Sequence, residues 1–187
     1  MRHLTTEQLE AGLDEIRRSP KDEGVLKLIV RRQAENEREV LDAGELDLVD
    51  GLAGDNWRTR GSSSTIDGLS NPDKQLNIMN SRAAALVAQS EDRWPLAGDQ
   101  LFVDLDLSSE NLPAGTRLAI GSAIIEITPP PHTGCKKFVA RFGPDAMRFV
   151  NSVVGKELHL RGVCARVVRP GTIRKNDMIK KLIGMTG

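Results

Sequence analysis

The residue types best suited to chemistry gather in one stretch, Pro129-Pro130-Pro131-His132-Thr133-Gly134-Cys135-Lys136-Lys137-Phe138. A cysteine is a strong nucleophile and a soft metal ligand once deprotonated, and a histidine carries protons near neutral pH. Here Cys135 and His132 stand three residues apart, and two lysines follow the thiol. Upstream, Ala119 to Thr128 is rich in β-branched residues and reads as a strand that the prolines stop, leaving His-Thr-Gly-Cys as a stiff loop. Downstream, Phe138, Phe142, Met147 and Val150 recur at helical spacing, with Gly143-Pro144 as a break between two short helices. Cys135 is therefore expected near a helix N-terminus, a setting in which thiols ionise more readily. The alternative for any cysteine of a soluble protein is a small buried hydrophobe.

The elements that must position this loop follow from periodicity and turn chemistry. Thr5 or Thr6, then Leu9, Leu13 and Ile16, read as a capped amphipathic helix ended by Ser19-Pro20, so residues 1–20 form a helical extension and residues 21–187 the main domain. Strands are expected at Gly24 to Val30, Arg38 to Leu41, Glu45 to Val49, Gln75 to Asn80, Asp99 to Leu105 and Arg117 to Ile120. Ser81 is expected to cap a helix from Arg82 to about Gln89, and the polar segment from Ser62 to Asp73 reads as a long, mobile loop. The stretch from Glu157 to Val168 and Thr172 to Arg174, around Pro170-Gly171, reads as a final hairpin closing a barrel, with Asp177 to Leu182 as a basic tail. The fold class is mainly β with some α+β character: a mostly antiparallel barrel with a few short helices.

Composition narrows the function classes. The chain has 187 residues, aromatics make up 3% and tyrosine is absent, so the core must be aliphatic and a base-stacking surface for nucleic acid is not expected. No apolar run is long enough to cross a membrane and the N-terminus lacks a signal-peptide stretch, which predicts a cytosolic protein. Two cysteines are too few for a disulfide framework. Net charge is zero but polarised: from Pro131 onward twelve Lys and Arg face three Asp and Glu, against fourteen and twenty-three before it. Such asymmetry either marks a site for an anionic ligand or is interleaved by the fold.

The order of short motifs carries a family resemblance. Gly51-Leu-Ala-Gly-Asp55, Gln75-Leu-Asn-Ile-Met79, Leu112 to Gly121, Thr128-Pro129 with Cys135, Arg161-Gly-Val163 and Arg166 to Gly171 together resemble the MOSC domain, named for the C-terminal region of molybdenum cofactor sulfurase. The similarity runs from about Gly24 to Asp177. It implies a compact β-barrel whose cysteine carries sulfur as a persulfide or ligates the metal of the molybdenum cofactor, and in some relatives a reductase of N-hydroxylated compounds; the family also has an association with pyridoxal phosphate binding. Carried onto this chain, Cys135 is the matching thiol, His132 a proton carrier and Gly54-Asp55 the turn beside them. Arg58, Arg60, Lys136, Lys137, Arg141 and Arg166 are then candidates to hold an anionic cofactor. The expected partners are that cofactor or a sulfur-donor protein. Many relatives place proline directly before the cysteine, where this chain has Gly134, and the amidoxime-reducing members carry a further N-terminal β-barrel.

Other chemistries fit less well. His132 and His159 with Cys135 and Cys164 supply four zinc-ligand types, but on one continuous strand positions 159 and 164 would face opposite sides. Cys164, in an alternating apolar run, reads as core. No Gly-x-Ser-x-Gly elbow supports a serine hydrolase. A non-catalytic module that binds an anion or an acidic partner through the basic C-terminal third remains as the third reading.

Overall fold

The computed structural model describes residues 2–62 and 65–182. In chain order the strands are β1 (Gly24–Arg31), β2 (Glu39–Leu41), β3 (Ala43–Asp47), β4 (Gly51–Leu52), β5 (Leu76–Asn80), β6 (Leu101–Asp104), β7 (Arg117–Ile120), β8 (Ala123–Pro131), β9 (Val163–Arg169), β10 (Gly171–Arg174) and β11 (Met178–Leu182). The helices are α1 (Thr6–Ala11), α2 (Leu13–Arg17), α3 (Trp57–Arg60), α4 (Ser81–Ala88), α5 (Lys136–Asn151) and α6 (Val153–Glu157).

Among the described residues, seven strands close a ring in the order β1, β11, β7, β8, β9, β5, β6 and back to β1, with β2 added along the outer half of β1. Strand direction cannot alternate all the way round a ring of seven, so one neighbouring pair must run parallel. That pair is β5 and β6. Parallel neighbours need a long crossover, and here α4 and a 3-10 segment (Glu91–Ala97) supply it. A separate three-stranded sheet, β10-β3-β4, abuts the ring.

Two apolar clusters follow from the alternation of side chains. Leu26, Ile29, Ile78, Leu101, Ile125 and Val167 fill the barrel interior. On the outer face of the same strands, Leu28, Val30, Met79 and Phe102 meet Leu9, Ile16 and the apolar sides of α4 and α5. Strand β1 serves both clusters because an irregularity between Leu26 and Leu28 shifts its register, so that Leu26 and Ile29 point inward while Leu28 and Val30 point out.

Several expectations are corrected. Asn80, not Ser81, caps α4, its side-chain oxygen accepting from the N–H groups of Arg82 and Ala83. The strand expected across Ala119 to Thr128 is split by a turn at Gly121-Ser122 into β7 and β8. The prolines do not stop β8: Pro131 still pairs with Val163, after a register break between Ile127 and Pro131 that accommodates the missing donors. The final hairpin does not form, since β10 leaves β9 to join β3, and the stretch read as a basic tail is β11, which closes the ring. Residues 158–161 turn rather than extend, so His159 precedes β9 instead of sharing a strand with Cys164. Of the loop expected from Ser62 to Asp73, Ser63 and Ser64 lie outside the described residues. The break at Gly143 is present, with φ 89° inside α5.

Candidate functional site

The Pro129–Pro131 strip delivers the candidate loop. Pro131 pairs with Val163, so His132 stands opposite Gly162, and Cys164 lies two residues further along the same outer face. Asn77 pairs directly with Cys164 across β5 and β9. His132, Cys164 and Asn77 therefore line one small cavity of about 190 Å³, together with Arg60 and Lys74. Gly162 makes this possible: at φ 115°, a Cβ there would sit 2.3 Å from the Ile78 carbonyl and 3.1 Å from His132 Cδ2.

Behind His132 is a buried acid. Asp99, fully enclosed just before β6, lies 2.8 Å from His132 Nε2 through Oδ1 and accepts from Arg161 Nη1 at 2.6 Å through Oδ2. Arg161 also donates to the Ala97 carbonyl at 2.8 Å, and its guanidinium carbon rests 5.1 Å from the centre of the Phe138 ring. Burial pushes the Asp99 carboxyl up, but Arg161 and His132 outweigh it and hold the group at about 2. Burial and the Arg161 charge push His132 below its ordinary 6.5, against the pull of Asp99. At neutral pH the pair is thus an ionised carboxylate and a neutral imidazole, protonated on the Nε2 that faces Asp99.

Cys135 is exposed at the start of α5 as its N-cap residue, and its carbonyl accepts the N–H groups of Phe138 and Val139. Cys164 is buried and its Sγ donates to Asn77 Oδ1 at 3.7 Å; burial pushes this thiol up to about 11, so it stays protonated. It is a buried residue, as its apolar setting in the sequence implies, and it lies on the outer face of β9, where it lines the small cavity.

A second cavity, of about 490 Å³, is lined by Arg32, Arg38, Asn56, Arg60 and Lys137 with Glu35 at its edge. Arg60 lines the small cavity as well, so the two adjoin. Arg32 is spent on Asp55 through two side-chain bonds of 2.9 and 2.7 Å, with a third bond to the Gly98 carbonyl. Lys137 pairs with Glu35. Arg38 and Arg60 make no ion pair among the described residues, and Arg38 Nε and Asn56 Oδ1 are buried without a partner. Burial, then Arg141 and Arg32, push the Arg38 guanidinium below its ordinary value; burial and Arg32 do the same to Arg60.

The remaining candidates are distributed as follows. Asp55 is buried and fully engaged by Arg32, Gln100 and the Trp57 N–H, fixing the turn at Gly54. Arg58 pairs with Asp50 on the surface, and Arg166 with Asp73 and Glu126 on the flank of β9; neither lines these cavities. Arg141 ties α5 to Leu96 and Asn36, while Lys136 is exposed. Sequence reasoning did not single out Asp99, Arg32 or Arg38, nor a role for Arg161. The available signal was a charge beside an apolar run, as in Leu160-Arg161-Gly162-Val163 and Asp99-Gln100-Leu101-Phe102. Among the described residues no three His, Cys, Asp or Glu side chains gather as a metal site.

The fold and cleft thus define a small, mixed β-barrel domain with a thiol-bearing loop beside a cation-lined cavity. The sequence model of the MOSC domain matches residues 68–180, and the chain belongs to that family. Its architecture is similar to that of the YuaD protein from Bacillus subtilis, at 17% identity and TM-score 0.58 over 84% of this chain and 94% of that one. It is also similar to YiiM from Escherichia coli (19%, TM-score 0.55, 87% and 72%) and YiiM from Geobacillus stearothermophilus (15%, TM-score 0.53, 89% and 75%). At these identities the likeness concerns the fold. No curated protein matches the chain. No helix among the described residues is long and apolar enough to cross a membrane.

Proposed function

We propose that the protein binds an anionic cofactor of the molybdenum cofactor type, its phosphate held in the Arg38–Arg60–Lys137 cavity and its metal ligated by Cys135. The observation that supports this most is that Arg38 and Arg60 share one cavity and make no ion pair among the described residues, the carboxylate on the same wall, Glu35, being paired with Lys137. Arg38 is half-buried and Arg60 exposed; two unpaired like charges that share a cavity repel one another unless something negative joins them, and arginine is the side chain best shaped for phosphate. Asn56 stands on the same wall, where its amide N–H groups can donate further hydrogen bonds, while the Thr59 hydroxyl already donates to the Asn56 carbonyl. Cys135 lines none of these cavities, but it is exposed, engaged in no side-chain cap and only two residues from Lys137 on the cavity wall. When bound, the cofactor supplies a redox-active metal centre. The chain's own part is to bind the phosphate, present the thiol and keep a neutral imidazole, His132, near the same cleft.

Metal analysis of protein purified from a host that makes the cofactor tests this. Molybdenum near one equivalent is expected, lost in Cys135→Ser and reduced in Arg60→Glu; a metal-free wild type under those conditions rejects the reading. The exposure of Cys135 favours a second one, sulfur carriage, in which the thiol holds an extra sulfur atom as a persulfide. Intact-mass analysis after incubation with a persulfide donor should then show one added sulfur on wild type and none on Cys135→Ser.

A further inference from the structure

A third cavity, of about 480 Å³, lies on the other side of His132. Its wall is largely apolar, built from Leu112, Ile127, the proline strip, Val150 and Val163. Such a volume and lining are those of a small-molecule pocket, which needs few polar groups to orient its ligand.

Most polar groups on that wall are already used. Ser109 Oγ donates to the Glu157 carbonyl, Asn151 Nδ2 contacts Met147 Sδ, and Arg161 and Asp99 neutralise each other, Arg161 Nε alone being left buried without a partner. His159 donates from Nδ1 to the Leu107 carbonyl at 2.6 Å, which leaves only its Nε2. His132 differs in being aimed. Its Nε2 is held by Asp99 and its Cδ2 edge abuts Gly162. Nδ1 is the ring atom opposite the Nε2–Cδ2 bond, so it points away from Asp99 and Gly162, and the ring lines the cavities on its two sides. Nδ1 has no hydrogen-bond partner among the described residues. With the imidazole neutral, Nδ1 is an acceptor only.

We propose that this cavity is a binding site for a small, uncharged, largely apolar molecule that donates one N–H or O–H group to His132 Nδ1. The ligand is uncharged because the buried cation of the wall, Arg161, is matched by Asp99, and the other, Lys156, is exposed to solvent, which screens it. Asp99 and Arg161 act as positioning residues that fix the tautomer and the ring. This assignment stands independently of what occupies Cys135.

Indole and 1-methylindole make a matched pair of probes, alike in shape and differing in the one donor. By isothermal titration calorimetry wild type is expected to bind indole roughly three- to tenfold more tightly than 1-methylindole, the worth of one neutral hydrogen bond. In His132→Ala the two affinities should converge, and Ala114→Trp, a substitution of an exposed wall residue that fills the cavity, should abolish both. Indole should also move the His132 Nδ1 resonance in a side-chain ¹H–¹⁵N spectrum. Equal affinity of wild type for both probes, no binding of either, or indole binding that survives Ala114→Trp would overturn the proposal.

Discussion

At the scale of single residues the cleft is organised by two buried acids, each matched to an arginine. Asp99 holds His132 and Arg161, and Asp55 holds Arg32. Removing one partner of such a pair strands the other charge, so Asp99→Asn should cost about 3–5 kcal/mol in urea unfolding, with Arg161 left uncompensated. Acid should weaken the wild type in two steps. The unfolded chain protonates its histidine near 6.5 and its aspartate near 3.8, while the folded chain resists both, the second down to about 2. Stability is therefore complete above about pH 6.5, declines as pH falls through the histidine range, and declines again between about 4 and 2, the last step being on the order of 2 kcal/mol. His132→Gln should flatten the upper step and shrink the lower one, because His132 helps Arg161 to hold Asp99 down, as unfolding free energies measured across that range will show.

At the scale of elements, Gly162 and the N-terminal helices carry the sharpest expectations. Gly162→Ala sets a Cβ against the Ile78 carbonyl at a left-handed φ, and should lower the melting temperature by roughly 5–10 °C while loosening His132. Leu9, 1% exposed, joins α1, which packs on α5, to the apolar cluster on the outside of the barrel, so Leu9→Ala should cost about 2–5 kcal/mol within a single unfolding transition. Much of this layer was legible: the Thr5 cap, β1, β5, β7 and the Gly143 break all follow from local propensity and spacing. What was not legible depended on partners distant in sequence. Residues Met178 to Leu182 read as a tail because nothing local reveals that β1 and β7 wait on either side. Proline chemistry says where a donor is missing, but only the register against β9 shows that the strip can stay in the sheet. The thiol and imidazole of the site could be picked out by residue type. The acid that orients the imidazole sits 33 positions away and could not.

At the scale of the whole molecule, the opposed charges of the two parts of the sequence are largely interleaved. Lys137 meets Glu35, Arg161 meets Asp99, Arg166 meets Asp73 and Glu126, and Lys180 meets Glu23. Long-range steering of an anion should therefore be weak, and recognition should rest on the local cavity of Arg38 and Arg60. Association rates for an anionic ligand are expected to change little with ionic strength, which stopped-flow measurements at low and high salt will check.

The ring is shut by a seam in which Gly24 pairs with Ile179 and Val25 with Met178. A growing polypeptide cannot make that seam until the residues of β11 have left the ribosome, more than 140 positions after those of β1. Until then the other six strands can form only an open sheet with two bare edges, the state in which strand addition from another chain and cleavage by proteases compete with closure. The time between synthesis of β1 and arrival of β11 is thus the interval of greatest exposure in the life of this protein, and the strand that ends it is a short, lysine-bearing one that looks expendable in the sequence.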